Sequence, residues 1–168
     1  MIRSLQEVSR TQLLHAVERW PVACSTHLWP FALSYSARIL NQIPKDEDGT
    51  PLSKFAGVDM LTNVNHLHTF GCPVYALDSR LASQKSIGHW KKRARLGIYL
   101  GPSPRHAKSV SLVMNPSNGL VSPQFHVTHD GFFETIDRRD KEPMAPWKTL
   151  AGLRNVQQKE LLQAPRYQ

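Results

Sequence analysis

"RLGIYLGPSPRHAKSVSLVMNPSNGLVSPQFHV", residues 95–127, carries the short β-rich runs on which the fold turns. "RLGIYLG" (95–101), "SVSLVMN" (109–115) and "GLVSPQFHV" (119–127) are bounded by Pro, Gly, Asn or Ser, and each has the length of one strand. "NPSNG" (115–119) joins the last two as a hairpin turn, because Asn and Gly take positive φ at little cost. Val110, Leu112 and Met114 alternate with polar or smaller residues, giving that strand one inward face. Leu96, Ile98 and Leu100 do the same for the strand before it. With "CPVYALD" (72–78) upstream, the runs predict a small antiparallel barrel over residues 68–136 rather than a sandwich.

The segments on either side read differently. Residues 2–19 have Ile2, Leu5, Leu13, Ala16 and Val17 on one side at a 3.6-residue period, with Arg3, Glu7, Arg10 and Glu18 mostly opposite. That is an amphipathic helix, stopped by "RWP" because Pro21 disfavours helical geometry at the residue before it. A second helix is expected from about Thr26 to Gln42, with Leu28, Ala32, Tyr35 and Ile39 as its stripe and Pro30 in its first turn. The helical pair fills residues 1–43. Residues 44–67 read as a linker opened by the turn-rich "PKDEDGTP", with one short helical turn at "LSKFAGVDM". The tail, 137–168, is charged and proline-punctuated, and is expected to be poorly ordered or weakly helical. The class is α+β.

The net charge of +8 matters less than where it sits. Between Asp78 and Asp130 there is no carboxylate, while Arg80, Lys85, Lys91, Lys92, Arg93, Arg95, Arg105 and Lys108 all fall there. These eight cations equal the whole excess, as a polyanion-binding surface requires. Trp90, in "GHWKKRAR", adds an apolar face that can stack beside phosphates. The candidate nucleic-acid contacts are therefore Trp90, Lys91, Lys92, Arg93, Arg95, Arg105 and Lys108. A short basic nuclear address and a solvated strand lip remain alternative readings of "KKRAR". Alternation along the strand leaves at most two of Lys92, Arg93 and Arg95 on one face. No helix carries the Arg, Asn or Gln set that base readout needs.

Other chemistry is thin. His66 and His68 would share a strand face, but a zinc site needs further ligands and Cys72 is the only obvious one, so no metal is expected. His126 and His129 bracket a strand end, where a His–Asp contact would be structural. Cys24 and Cys72 lie far apart and outside any CxxC pair, and read as buried free thiols of a reducing, intracellular compartment, nucleus or cytoplasm. No secretory signal and no membrane-length apolar run is visible.

The collinear order of "IRSLQEVSRTQLLHA", "WPFALSYSARILNQIP", "LHTFGCPVYALD", the stretch from "RAR" at residue 93 through "FHV" at 127, and "FFET" resembles a copia-type retrotransposon polyprotein. The resemblance spans residues 2–136, at the end of the integrase catalytic core and the SH3-like domain that follows it. It implies that the helical pair is the remnant of an RNase-H-like core and that the barrel is SH3-like. In that family two Asp and one Glu hold two divalent metals for strand transfer. The Glu precedes the "IR-LQ" helix, so the triad would fall before Met1, and Glu7 is no substitute. The resemblance thus implies a non-catalytic integrase fragment, needing no cofactor, that grips DNA, or RNA, through phosphates during DNA integration, with no membrane partner. A barrel that tethers integrase subunits or chromatin proteins, and a decayed gene fragment without selected function, are the alternatives.

Overall fold

The computed structural model describes residues 2–44, 49–58, 64–78, 88–136 and 144–153. Helix α1 runs Ile2–Arg19, and a single 3-10 turn at Thr26–Leu28 leads into helix α2, Trp29–Gln42. Ser25 caps that turn by accepting from the His27 amide, and Pro30 sits in the first turn of α2, where no amide partner is lost. The expected short turn in the linker is helix α3, Pro51–Ala56, capped by Thr50 and ended by Gly57.

Five strands follow: β1 Pro73–Leu77, β2 Ala94–Pro102, β3 Ser111–Met114, β4 Val121–Gln124 and β5 Val127–His129. They form one antiparallel sheet in the order β4-β3-β2-β1-β5. The hairpin at 115–119 lies where its residues place it, with Met114 opposite Val121 and the Asn115 amide donating to Leu120 O at 2.9 Å. "GLVSPQFHV" is not one strand. It breaks at Phe125–His126, so that β4 pairs with β3 while β5 crosses to the far edge beside β1.

No ladder joins β4 to β5 among the described residues, so the barrel is not closed by strand pairing. The sheet nevertheless curls far enough for Ser111 Oγ on β3 to meet His129 Nε2 on β5 at 2.9 Å, across the two intervening strands. This curl corrects the expected alternation in β3. Val110 and Met114 are buried as foreseen while Leu112 is only half-buried, and Ser111 and Val113 are buried as well, because the curled face covers them too. Val113 lies over the bare backbone of Gly97, where a Cβ would overlap it.

The helical pair does not stand apart from the sheet. Leu13, Ala16 and Val17 of α1, Ala32 and Tyr35 of α2, and Phe70, Cys72, Val74, Ile98, Tyr99 and Met114 belong to one continuous core. The expected stripe on α1 is shortened at its start, for Ile2 is exposed. The segments 1–43 and 68–136 therefore share buried residues rather than each enclosing a core of its own.

The tail holds a short helix, as one of the two expectations for it had it, and that helix is docked. Pro146–Leu150 forms helix α4, and Trp147 and Lys148 are buried. Trp147 Nε1 donates to Ala23 O at 2.8 Å, and Lys148 Nζ donates to Pro21 O at 2.7 Å. The remainder of the tail, from residue 154, lies outside the described residues, as do Arg80 and Lys85.

Candidate nucleic-acid interface

Residues 88–93 form the approach to β2. The Lys91 amide donates to Gly88 O at 2.9 Å, which makes a tight turn, and Asp78 N donates to Arg93 O at 2.9 Å, which extends the β1–β2 pairing by one rung. The cluster therefore sits at the connected end of the β1–β2 hairpin, where the chain enters β2. Lys91, Lys92, Arg93 and Arg95 are all exposed. Arg95 pairs across from Ala76 and Leu96 across from Tyr75, so these two neighbours leave opposite faces of the sheet.

Trp90 settles one question left by sequence. An indole beside a strand is usually core, yet this one is 101% exposed relative to a free residue. Leu96, assigned to the core face, is 37% exposed, and the buried stretch of β2 begins at Gly97. The end of the hairpin thus presents a bare aromatic ring among cations, with its apolar anchor further along the strand. The one ion pair among the described residues joins Arg3 to Glu7 at 3.0 Å, on the surface of α1. None of the candidate cations is neutralised by a carboxylate there.

The seven candidate residues do not form one surface. Arg105 and Lys108 are exposed on the β2–β3 loop, closed by Ser103 N donating to Val110 O at 2.8 Å. That loop lies at the opposite end of β2 from Trp90. Eight residue steps of strand separate the two ends, about 26 Å at the usual rise. Sequence grouped these cations because no carboxylate interrupts them, but a nine-residue strand holds them apart. Arg38, half-buried on α2 and missed by sequence reasoning, lines the same groove as Lys108 at this second locus. It lies one turn beyond Tyr35, and that spacing was the available signal.

The histidines form a different constellation from the one foreseen. His66 lies in a 3-10 turn, so it does not share a strand face with His68. Instead His68 stacks on His129 with ring centroids 3.6 Å apart, and Tyr99 meets both rings edge-on. Tyr35 Oη donates to His68 O at 2.6 Å. His129 is bonded to Ser111 and not to Asp130, whose carboxylate accepts from Thr135 and the Glu134 amide. Among the described residues no three His, Cys, Asp or Glu converge as a metal site. Cys24 and Cys72 are buried and free, and burial pushes both thiols up to about 12, leaving them protonated and unreactive at neutral pH.

Desolvation, and then the neighbouring His68, lower His129 to about 4. His68 is also lowered, by burial first and then by the charge of His66. Folding therefore favours the neutral rings. The unfolded chain binds more protons between pH 6.5 and 4, so stability should be full above about pH 6.5 and decline as pH falls toward 4. Both rings keep contact with water, and the screened loss is of the order of 1 kcal/mol. Thermal melts from pH 7 to 4 should show a fall in midpoint that is reduced in His129→Gln. An equal fall in both proteins would contradict this account.

No helix among the described residues is long and apolar enough to cross a membrane. Comparison of the chain with protein-family models, with curated proteins and with solved structures finds no match.

Proposed function

We propose that the chain binds nucleic acid through its phosphates, without base specificity, as a non-catalytic part of a copia-type integrase acting in DNA integration. The observation that carries the reading is the fully exposed Trp90 set among exposed, unneutralised Lys91, Lys92 and Arg93. Single exposed rings occur elsewhere in the chain, at Phe55 and Phe132, but Trp90 alone of the three stands within a run of exposed cations. Phosphate contact uses both, the cations for the backbone and the ring for stacking on an unpaired base or packing on a sugar. The order of motifs that resembles the integrase supplies the context, and the reading gives the chain no catalytic step of its own.

The salt dependence of affinity counts the contacts. Four cations at this end of the hairpin set a ceiling of about −3.6 on the log–log slope for duplex DNA, at about −0.9 per phosphate. Replacing Lys91 and Lys92 together by Ala should flatten the slope by about 1.8 units, equally for unrelated sequences. The fold should be untouched, because both side chains are exposed and the buried stretch of β2 starts at Gly97. A folded double variant that keeps wild-type affinity and slope would return the cluster to a solvated lip.

A further inference from the structure

We propose that the groove between α2, α3 and the β2–β3 loop docks an acidic peptide segment of a partner protein, taking its aliphatic side chains into the groove and its carboxylates onto Arg38 and Lys108. The groove has a volume of about 680 Å³. Phe31 and Arg38 reach it from α2, Leu52 from α3, Pro102 and Lys108 from the end of β2 and the loop beyond, and Leu112 from β3. A space of this size accepts one or two large side chains.

Charge selects the occupant. Arg38 is half-buried and Lys108 exposed, and neither is paired with a carboxylate among the described residues. A guanidinium partly withdrawn from water, with no counter-charge among the described residues, favours an arriving anion, since part of the desolvation cost has already been met in the free protein. Two cations from different elements, flanking an apolar wall, fit carboxylates on either side of an aliphatic anchor.

The lining argues against a nucleobase here. Among the described residues only Phe31 and Tyr35 contribute aromatic rings to the groove, and Tyr35 is 3% exposed with its hydroxyl committed to the His68 backbone. The other apolar walls are Leu and Pro, which pack aliphatic side chains and offer no stacking platform. The site is also remote from Trp90, so it stands or falls independently of the phosphate-binding reading.

The test uses the full chain and an array of synthetic peptides of about twelve residues, each with a Leu-Leu or Leu-Phe centre flanked by Asp and Glu, by Ser, or by Lys. Acid-flanked peptides should be retained at least tenfold better than Ser-flanked ones, and Lys-flanked peptides not at all. Fluorescence anisotropy with the best acid-flanked peptide should show at least a tenfold loss for Lys108→Glu, an exposed loop change that leaves the core alone. Arg38→Gln should weaken the same peptide, and Leu52→Ser should erase the preference for an apolar centre. Lys91→Ala with Lys92→Ala should change nothing. No preference for acidic flanks, or binding indifferent to Lys108→Glu, overturns the proposal. Displacement of the peptide by a thymidine oligonucleotide whose own affinity drops in Lys108→Glu, but not in the Lys91/Lys92 variant, would assign the groove to nucleic acid and equally overturn it.

Discussion

Truncating Trp147 to Ala should cost about 3–5 kcal/mol of folding stability, a large share of what a domain of this size possesses. The side chain is 7% exposed and belongs to the common core. Its indole N–H donates to Ala23 O, its own amide donates to Pro116 O at 3.0 Å, and its Cβ lies against Gly119. Trp147 thus ties the loop after α1 to the β3–β4 hairpin, two places distant in sequence. Alanine leaves a cavity and also orphans a buried carbonyl, which adds about 1 kcal/mol. Trp147→Phe keeps most of the apolar area and should lose only about 1–2 kcal/mol. Urea titration of the three proteins gives the order directly. A loss below about 1 kcal/mol for the alanine variant would mean that residues 144–153 are not docked in solution.

How far the sequence discloses this molecule depends on the range of the interaction involved. Local signals carried through. Pro21 follows the end of α1, Pro30 occupies the first turn of α2, and Asn115 and Gly119 (φ 74°) close a hairpin. Each is a statement about a few consecutive dihedrals. The apolar stripes on α1 and α2 show that each helix needs a covering surface, but a stripe does not name its partner. For that reason the shared core is not legible in the sequence, and neither is the docking of Trp147, whose partners lie in other elements, Ala23 over a hundred residues away and Pro116 about thirty. The break at Phe125–His126 was hidden for a related reason. A chain passing from one sheet edge to the other is decided by the curl that brings His129 to Ser111, which no window of "PQFHVTH" contains. The basic cluster was half legible: its charge is a property of the sequence, its separation into two loci a property of the strand between them. Trp90 shows the reverse case, in which a residue type that favours burial stands in solvent, and the departure from the rule carries the functional reading.

Gly71→Ala should be a severely damaging single-methyl addition, and its pattern of rescue tests whether α1 is bound to the sheet. Gly71 has φ +73°, a conformation that costs an L-residue about 1–2 kcal/mol. Its amide donates to Tyr99 O at 2.8 Å, which locks the residue to β2 and leaves it no alternative geometry. An added Cβ would also overlap the methyl of Ala16, itself fully buried on α1. Overpacking of this kind adds about 1–3 kcal/mol, so the total loss should be about 3 kcal/mol or more by chemical denaturation. Ala16→Gly alone should cost about 1 kcal/mol through helix propensity. In the double variant the overlap is gone while the backbone strain remains, so the combined loss should fall short of the sum by about 1–2 kcal/mol. A helix merely tethered beside the sheet could swing away from the new methyl, and the two losses would then add. Hydrogen exchange gives a second reading of the same contact. Amides in the second half of α1, around Leu13 to Val17, should be protected to the same degree as those of β2 in the wild type, and should lose protection together with β2 in Gly71→Ala. Loss confined to α1 would leave the sheet as an independent unit and would separate the two halves that the buried residues join.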